Sequence, residues 1–167
     1  MRYRSKGQHG VTLVELMVAL GILSLLLYVA VPSFREAGLP SQLRTMANNV
    51  VAATQIARSE AIKRNAPVQL CVSSDGQTCG NGNWRQGWIV TSGGTVLHSE
   101  PSAPPGYRIT PAAGSNTLTF DSTGLGASPD SFTVCRQTPT AGAQERVVTV
   151  SAAGKASVRT TATGTCP

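Results

Sequence analysis

The sequence predicts an α+β protein with one long N-terminal helix followed by an antiparallel, β-rich head. Three observations lead there: an unbroken apolar run from Val11 to Val31, an apolar stripe at helical spacing from Leu43 to Ala61, and short β-prone runs after Pro67. At 167 residues the chain has room for one domain with a real core beyond the apolar run. Only 13% of residues are charged and 5% aromatic, against 17 glycines and 10 prolines, a composition of strands and turns rather than of a helical bundle.

The run VTLVELMVALGILSLLLYVAV, residues 11–31, is long enough to cross a bilayer and holds one charged residue, Glu15. Arg2, Arg4 and Lys6 precede it, and basic flanks stay on the cytoplasmic side, which sends the rest of the chain across the membrane. An ordinary secretory signal peptide has an apolar core of about 7 to 15 residues ending in a small-residue A-x-A-like site, and neither feature occurs here. A carboxylate inside such a span costs about 2.5 to 3.5 kcal/mol, so Glu15 calls for a partner.

Pro32 removes a backbone donor, which predicts a kink or local opening of the helix there. Gly38-Leu39-Pro40 is a second weak point, after which the helix is expected to resume with Ser41 as N-cap. Leu43, Met46, Val50, Ala53, Ala57 and Ala61 then form one apolar stripe that packs on the head. Arg44, Arg58, Glu60, Lys63 and Arg64 read as a solvated face, and Asn65-Ala66-Pro67 ends the helix because the residue before proline disfavours α geometry.

Beyond Pro67, strands are expected at 68–72, 87–91, 95–98, 107–110, 117–120, 131–135, 146–150 and 156–160. Residues 101–106 and 139–142 are loops. Trp84 and Trp88 flank or occupy a Gly-Trp-Ile-Val run, a core-strand pattern rather than a binding platform. Cys71, Cys79, Cys135 and Cys166 contain no CxxC pair and have no companion histidines, so disulfides in an oxidising compartment fit better than zinc. Four cysteines allow three connectivities, and local pairing favours Cys71 with Cys79 and Cys135 with Cys166.

The formal charge of +6 falls to +3 once Arg2, Arg4 and Lys6 are set aside, leaving a mildly basic body. No nucleophile elbow, phosphate-cradling loop, metal motif or paired acidic dyad is present, so the expectation is a non-enzyme without cofactor or metal. His98, alone in the body of the chain, is expected to be structural or exposed.

The leader and the segment Gly10-Val11-Thr12-Leu13-Val14-Glu15 resemble the class III signal of type IV pilins and type II secretion pseudopilins. The resemblance implies that a prepilin peptidase cuts between Gly10 and Val11 and methylates the Val11 amine. The family usually has Phe where this chain has Val11. The resemblance further implies that Glu15 meets the Val11 amine of an adjacent subunit in a filament core.

Ala57 to Arg64, Trp84, Gly87-Trp88-Ile89-Val90, Leu118-Thr119-Phe120 with Gly124, and Val148-Thr149-Val150-Ser151 before Gly154 resemble the head of the GspH/FimT family. This likeness implies a pilin fold, divided into a cleaved leader at 1–10, a membrane and filament-core helix at 11–31, its amphipathic continuation at 32–66 and a periplasmic head at 67–167. It implies other pilins or pseudopilins as partners, with the chain first in the inner membrane and then in the pilus or pseudopilus. The expected function is that of a minor type IV pilin that helps to prime or cap assembly, with a DNA-binding minor pilin or a type II secretion minor pseudopilin as alternatives. FimT-type members carry a basic Gly-Arg-x-Arg turn; this chain has Gly154-Lys155-Ala156-Ser157-Val158-Arg159, so Arg146, Lys155 and Arg159 are the candidate DNA contacts.

Overall fold

The computed structural model describes residues 11–126 and 128–167, except for the side chains of 32–36. Gly10 and the basic residues before it lie outside the described residues. The chain forms two compact units, which meet in sequence between Gly38 and Leu39. The first unit is helical from Leu13 onward; the second holds the rest of the same helix and all the strands.

Helix α1 runs from Leu13 to Arg64. The backbone remains helical at Pro32 and from Gly38 to Pro40, so neither position opens the chain. Ser41 is therefore not an N-cap: it lies within the helix, and its carbonyl accepts the Thr45 hydroxyl at 3.1 Å. Packing overrides the local weakness here. Leu39 is buried, and its Cδ2 presses so closely on Gly142 that a Cβ there would come within 2.6 Å.

The C-terminus of α1 is set by Asn65 rather than by Pro67 alone. Asn65 adopts a left-handed φ of 50°, the Asn65 amide donates to Ile62 O, and the Ala66 amide donates to Ala61 O. That pair of bonds satisfies carbonyls which the helix end leaves open.

Eight strands follow: β1 (Val68–Val72), β2 (Trp88–Ser92), β3 (Thr95–Glu100), β4 (Tyr107–Pro111), β5 (Thr117–Phe120), β6 (Asp130–Arg136), β7 (Glu145–Val150) and β8 (Ala156–Thr161). They make two antiparallel sheets, ordered β3-β2-β1-β5 and β4-β6-β7-β8. Each expected strand is present, with ends shifted by at most two residues, because β-prone runs bounded by turn residues mark them; in β1, Val68, Leu70, Cys71 and Val72 are buried while Gln69 is exposed.

Every member of the stripe Leu43, Met46, Val50, Ala53, Ala57 and Ala61 is buried. They join Val68, Leu70, Val90, Leu118 and Phe120 of the first sheet and Ile109, Phe132, Val134 and Val148 of the second in one core. Trp84, in a short 3-10 turn from Trp84 to Gln86, packs edge-on against Phe132 at 4.8 Å between ring centroids, and its indole N–H donates to Ser115 O at 2.8 Å. Trp88 is buried as well, so neither tryptophan forms an exposed platform.

Candidate functional site

The N-terminal helix is the first candidate. Between Leu13 and Val31 its mean hydropathy is 2.4, long and apolar enough to cross a membrane, and its large apolar side chains are all exposed. Glu15 is the one charged side chain within that stretch. Thr12 caps the helix: its hydroxyl accepts the Glu15 amide at 3.2 Å, and its carbonyl accepts the Leu16 amide. Thr12-Leu13-Val14-Glu15 has the spacing of a capping box, a signal that reading Glu15 only as a membrane acid overlooks. Glu15 thus sits in the first turn, where a negative charge also complements the helix dipole.

The head is stapled at two places. Cys71 is bonded to Cys79 across 8 residues and Cys135 to Cys166 across 31. Asp75 organises the first loop: it accepts the Thr78 hydroxyl at 2.6 Å, the Thr78 and Gln77 amides at 2.8 Å and the Ser73 hydroxyl at 2.9 Å. These bonds, the Thr78 hydroxyl foremost, hold the Asp75 carboxyl far below the usual carboxylate range.

At the other end Glu145 is 2% exposed, and burial pushes its carboxyl upward; the Thr163 amide, the Thr161 and Thr163 hydroxyls and the Gly164 amide outweigh that and hold it below its ordinary value.

The three basic candidates do not form one patch. Arg146 is buried, its guanidinium bonded to Gln144 Oε1 at 2.9 Å and to Glu145 O at 3.2 Å. The β7–β8 register sets Arg146 opposite Thr160 and Arg159 opposite Val147, so Arg146 and Arg159 leave opposite faces of the sheet. Lys155 and Arg159 are exposed.

The helix face read as solvated is so only in part. Glu60 pairs with Arg64 at 2.7 Å and Lys63 at 3.2 Å, and these two, Arg64 first, hold its carboxyl below the ordinary range. Arg58, by contrast, is half-buried against the 124 and 154 turns. No run of residues around Arg58 marks this contact, because the turns lie far from it in sequence.

A depression of about 580 Å³ on the first sheet is lined by Gln69, Gln77, Thr78, Ile89 and Thr91, without an acid–base pair. His98 lies 3.8 Å from Glu100, which Asn49 also reaches. Among the described residues no three His, Cys, Asp or Glu side chains come together as a metal site.

The described residues thus hold an exposed apolar N-terminal helix with one acid in its first turn, and an α+β head. The sequence profile of the type II transport protein GspH matches residues 46–154, and the prokaryotic N-terminal methylation motif matches residues 5–30. The chain belongs to the GspH family.

Its fold is similar to that of the type IV minor pilin FimU of Pseudomonas aeruginosa in two crystal forms. One aligns with a TM-score of 0.58 at 20% identity over 72% of this chain and 90% of that one. The other has a TM-score of 0.54 at 20% identity, over 70% and 92%. The minor pseudopilin EpsH of the Vibrio cholerae type 2 secretion system aligns at 13% identity, TM-score 0.49, over 74% and 99%. No curated protein sequence matches significantly.

Proposed function

We propose that the chain is a minor type IV pilin, cut by a prepilin peptidase after Gly10, methylated at Val11, and held in the inner membrane with its head in the periplasm until it enters the pilus. There it helps to prime or cap assembly with other pilins. The observation that carries this reading is Glu15: a lone acid on the first turn of an exposed apolar helix, four residues from the amine that cleavage creates.

The physical logic is pairing. An isolated carboxylate in an apolar span is costly, and a neighbouring subunit's Val11 ammonium offsets that cost only where a filament brings the two together. Assembly therefore buries the apolar helix and neutralises its acid in one step. Gly10 and Val11 act as processing residues and Glu15 as the registration residue, while Pro32 lies within the continuous helix.

The profile match to a type II transport protein supports a second reading, a minor pseudopilin, with the same anchor and head serving a secretion pseudopilus. DNA binding has less support, because of the three candidates only Lys155 and Arg159 are exposed.

N-terminal sequencing of the protein from sheared surface filaments tests the reading. The expected sequence begins at methylated Val11. Intact Met1 in filaments, or a cut near Ala30, overturns it. In a deletion strain, loss of surface pili with normal hydrolase secretion favours the pilin, and the reverse favours the pseudopilin.

A further inference from the structure

Two turns from distant parts of the sequence close on the end of α1. In the first, Gly124 has φ +79° and its amide donates to Asp121 O at 2.9 Å; in the second, Gly154 has φ +67° and its amide donates to Ser151 O at 2.8 Å. The Gly126 amide joins them, donating to Ala152 O at 2.9 Å. Both turns need glycine for space as well as for φ. A Cβ on Gly124 would lie 2.7 Å from Ile62 Cδ1 and 3.1 Å from Arg58 Cγ, and one on Gly154 would lie 3.3 Å from Arg58 Cδ.

Arg58 is thereby held in a cradle, and its Nε is buried without an acceptor. Among the described residues, nothing pairs with its guanidinium. A buried donor left unmade is costly, and here it belongs to a cation whose stem packs against the 124 and 154 turns. The nearby acids are committed elsewhere: Glu60 to Lys63 and Arg64, and Asp121 to the Thr123 hydroxyl and to the Thr123 and Leu125 amides.

Apolar groups flank the cation. Ile62 is 52% exposed and Leu125 48%; with Val158 they are the exposed large apolar side chains among the described residues of the second unit. Lys155, also exposed, follows Gly154 directly. A half-buried arginine with no acceptor at its Nε, beside exposed aliphatics, is the make-up of a protein-interface anchor.

We propose that Arg58, Ile62, Leu125 and Lys155 form a docking surface for an acidic segment, carrying aliphatic side chains, on the head of a neighbouring filament subunit. A carboxylate there takes Arg58, and the aliphatic groups cover Ile62 and Leu125. Charge complementarity sets the sign of the partner. The two aliphatics favour protein over nucleic acid, whose phosphates would answer the cations and leave Ile62 and Leu125 bare.

The inference rests on the filament reading, so its test separates the two. The full chain is expressed in its own cells with p-benzoylphenylalanine at Ile62 or, as a control, at Leu20 in the apolar helix. Crosslinked peptides are then identified by mass spectrometry. The Ile62 probe is expected to reach a pilin-like subunit within a few residues of an acid. Arg58→Glu and, separately, Lys155→Glu are expected to lower that crosslink at least tenfold and threefold, while Arg58→Lys keeps most of it.

Crosslinks from Leu20 but none from Ile62 overturn the docking surface and leave the filament standing; silence from both overturns both. An Ile62 crosslink to nucleic acid, to lipid or to a segment without an acid also overturns it, as does one indifferent to both charge reversals.

Discussion

Glu145 Oε1 accepts the Gly164 amide at 2.8 Å, which ties β7 to the chain beyond β8, two residues before the Cys135–Cys166 bond. Its other oxygen takes the Thr163 amide at 3.0 Å and the Thr161 hydroxyl at 2.9 Å. Glu145→Gln turns an NH₂ toward one of these donors, and is expected to destabilise the head by about 1.5 to 3 kcal/mol at pH 7. The carboxyl is held below its ordinary 4.5, so its contribution is complete above that pH and is lost as pH falls through the lower folded value. Urea unfolding of wild type and variant at pH 7 and in acid checks this: the gap between them should close on acidification.

Reduction separates the two staples by loop length. Removing the Cys135–Cys166 bond, which spans 31 residues, is expected to cost about 3 to 4 kcal/mol in the chain-entropy model, against about 2 to 3 for Cys71–Cys79, which spans 8. Double Cys→Ala variants of each pair, unfolded in guanidinium, give the order. A non-reducing peptide map joining Cys71 to Cys135 contradicts the connectivity.

Ala53, Ala57 and Ala61 lie four residues apart on α1, all fully buried. Small side chains there let the helix approach the sheets closely, so Ala57→Leu overpacks the contact and is expected to cost about 1 to 3 kcal/mol. Ala57→Ser, much closer in volume, should cost less. Thermal melts of residues 37–167 compare them.

Glu15→Ala is expected to leave the head folded and both disulfides formed, while incorporation into filaments drops severely. Removing one partner of a buried ion pair costs about 3 to 5 kcal/mol. Immunoblots of sheared filaments against whole membranes provide the measure; recovery at the wild-type ratio rules out the pairing role.

The strands and the buried stripe were legible because their signals are local: β-prone runs between turn residues, or apolar positions every three and four. The membrane acid stood out for the same reason, as one charge in an apolar run. What stayed hidden depends on distant partners. Leu39 holds α1 through the Gly-Leu-Pro weak point only because the 142 turn packs on it. Arg58 looks like one more solvated cation until the 124 and 154 turns arrive, and Arg146 looks free until the β7–β8 register turns it inward.

The chain visits the sheets out of order: β4 belongs to the second, yet β5, which follows it, returns to the first beside β1. The head is therefore interleaved. As the chain is synthesised, β1 to β3 can pair early, but one edge of β1 stays bare until residues 117–120 emerge, and by then β4 is waiting for β6. Neither sheet closes independently, so a single nick between Pro111 and Thr117 would strike both halves at once, and the head should melt in one transition rather than two.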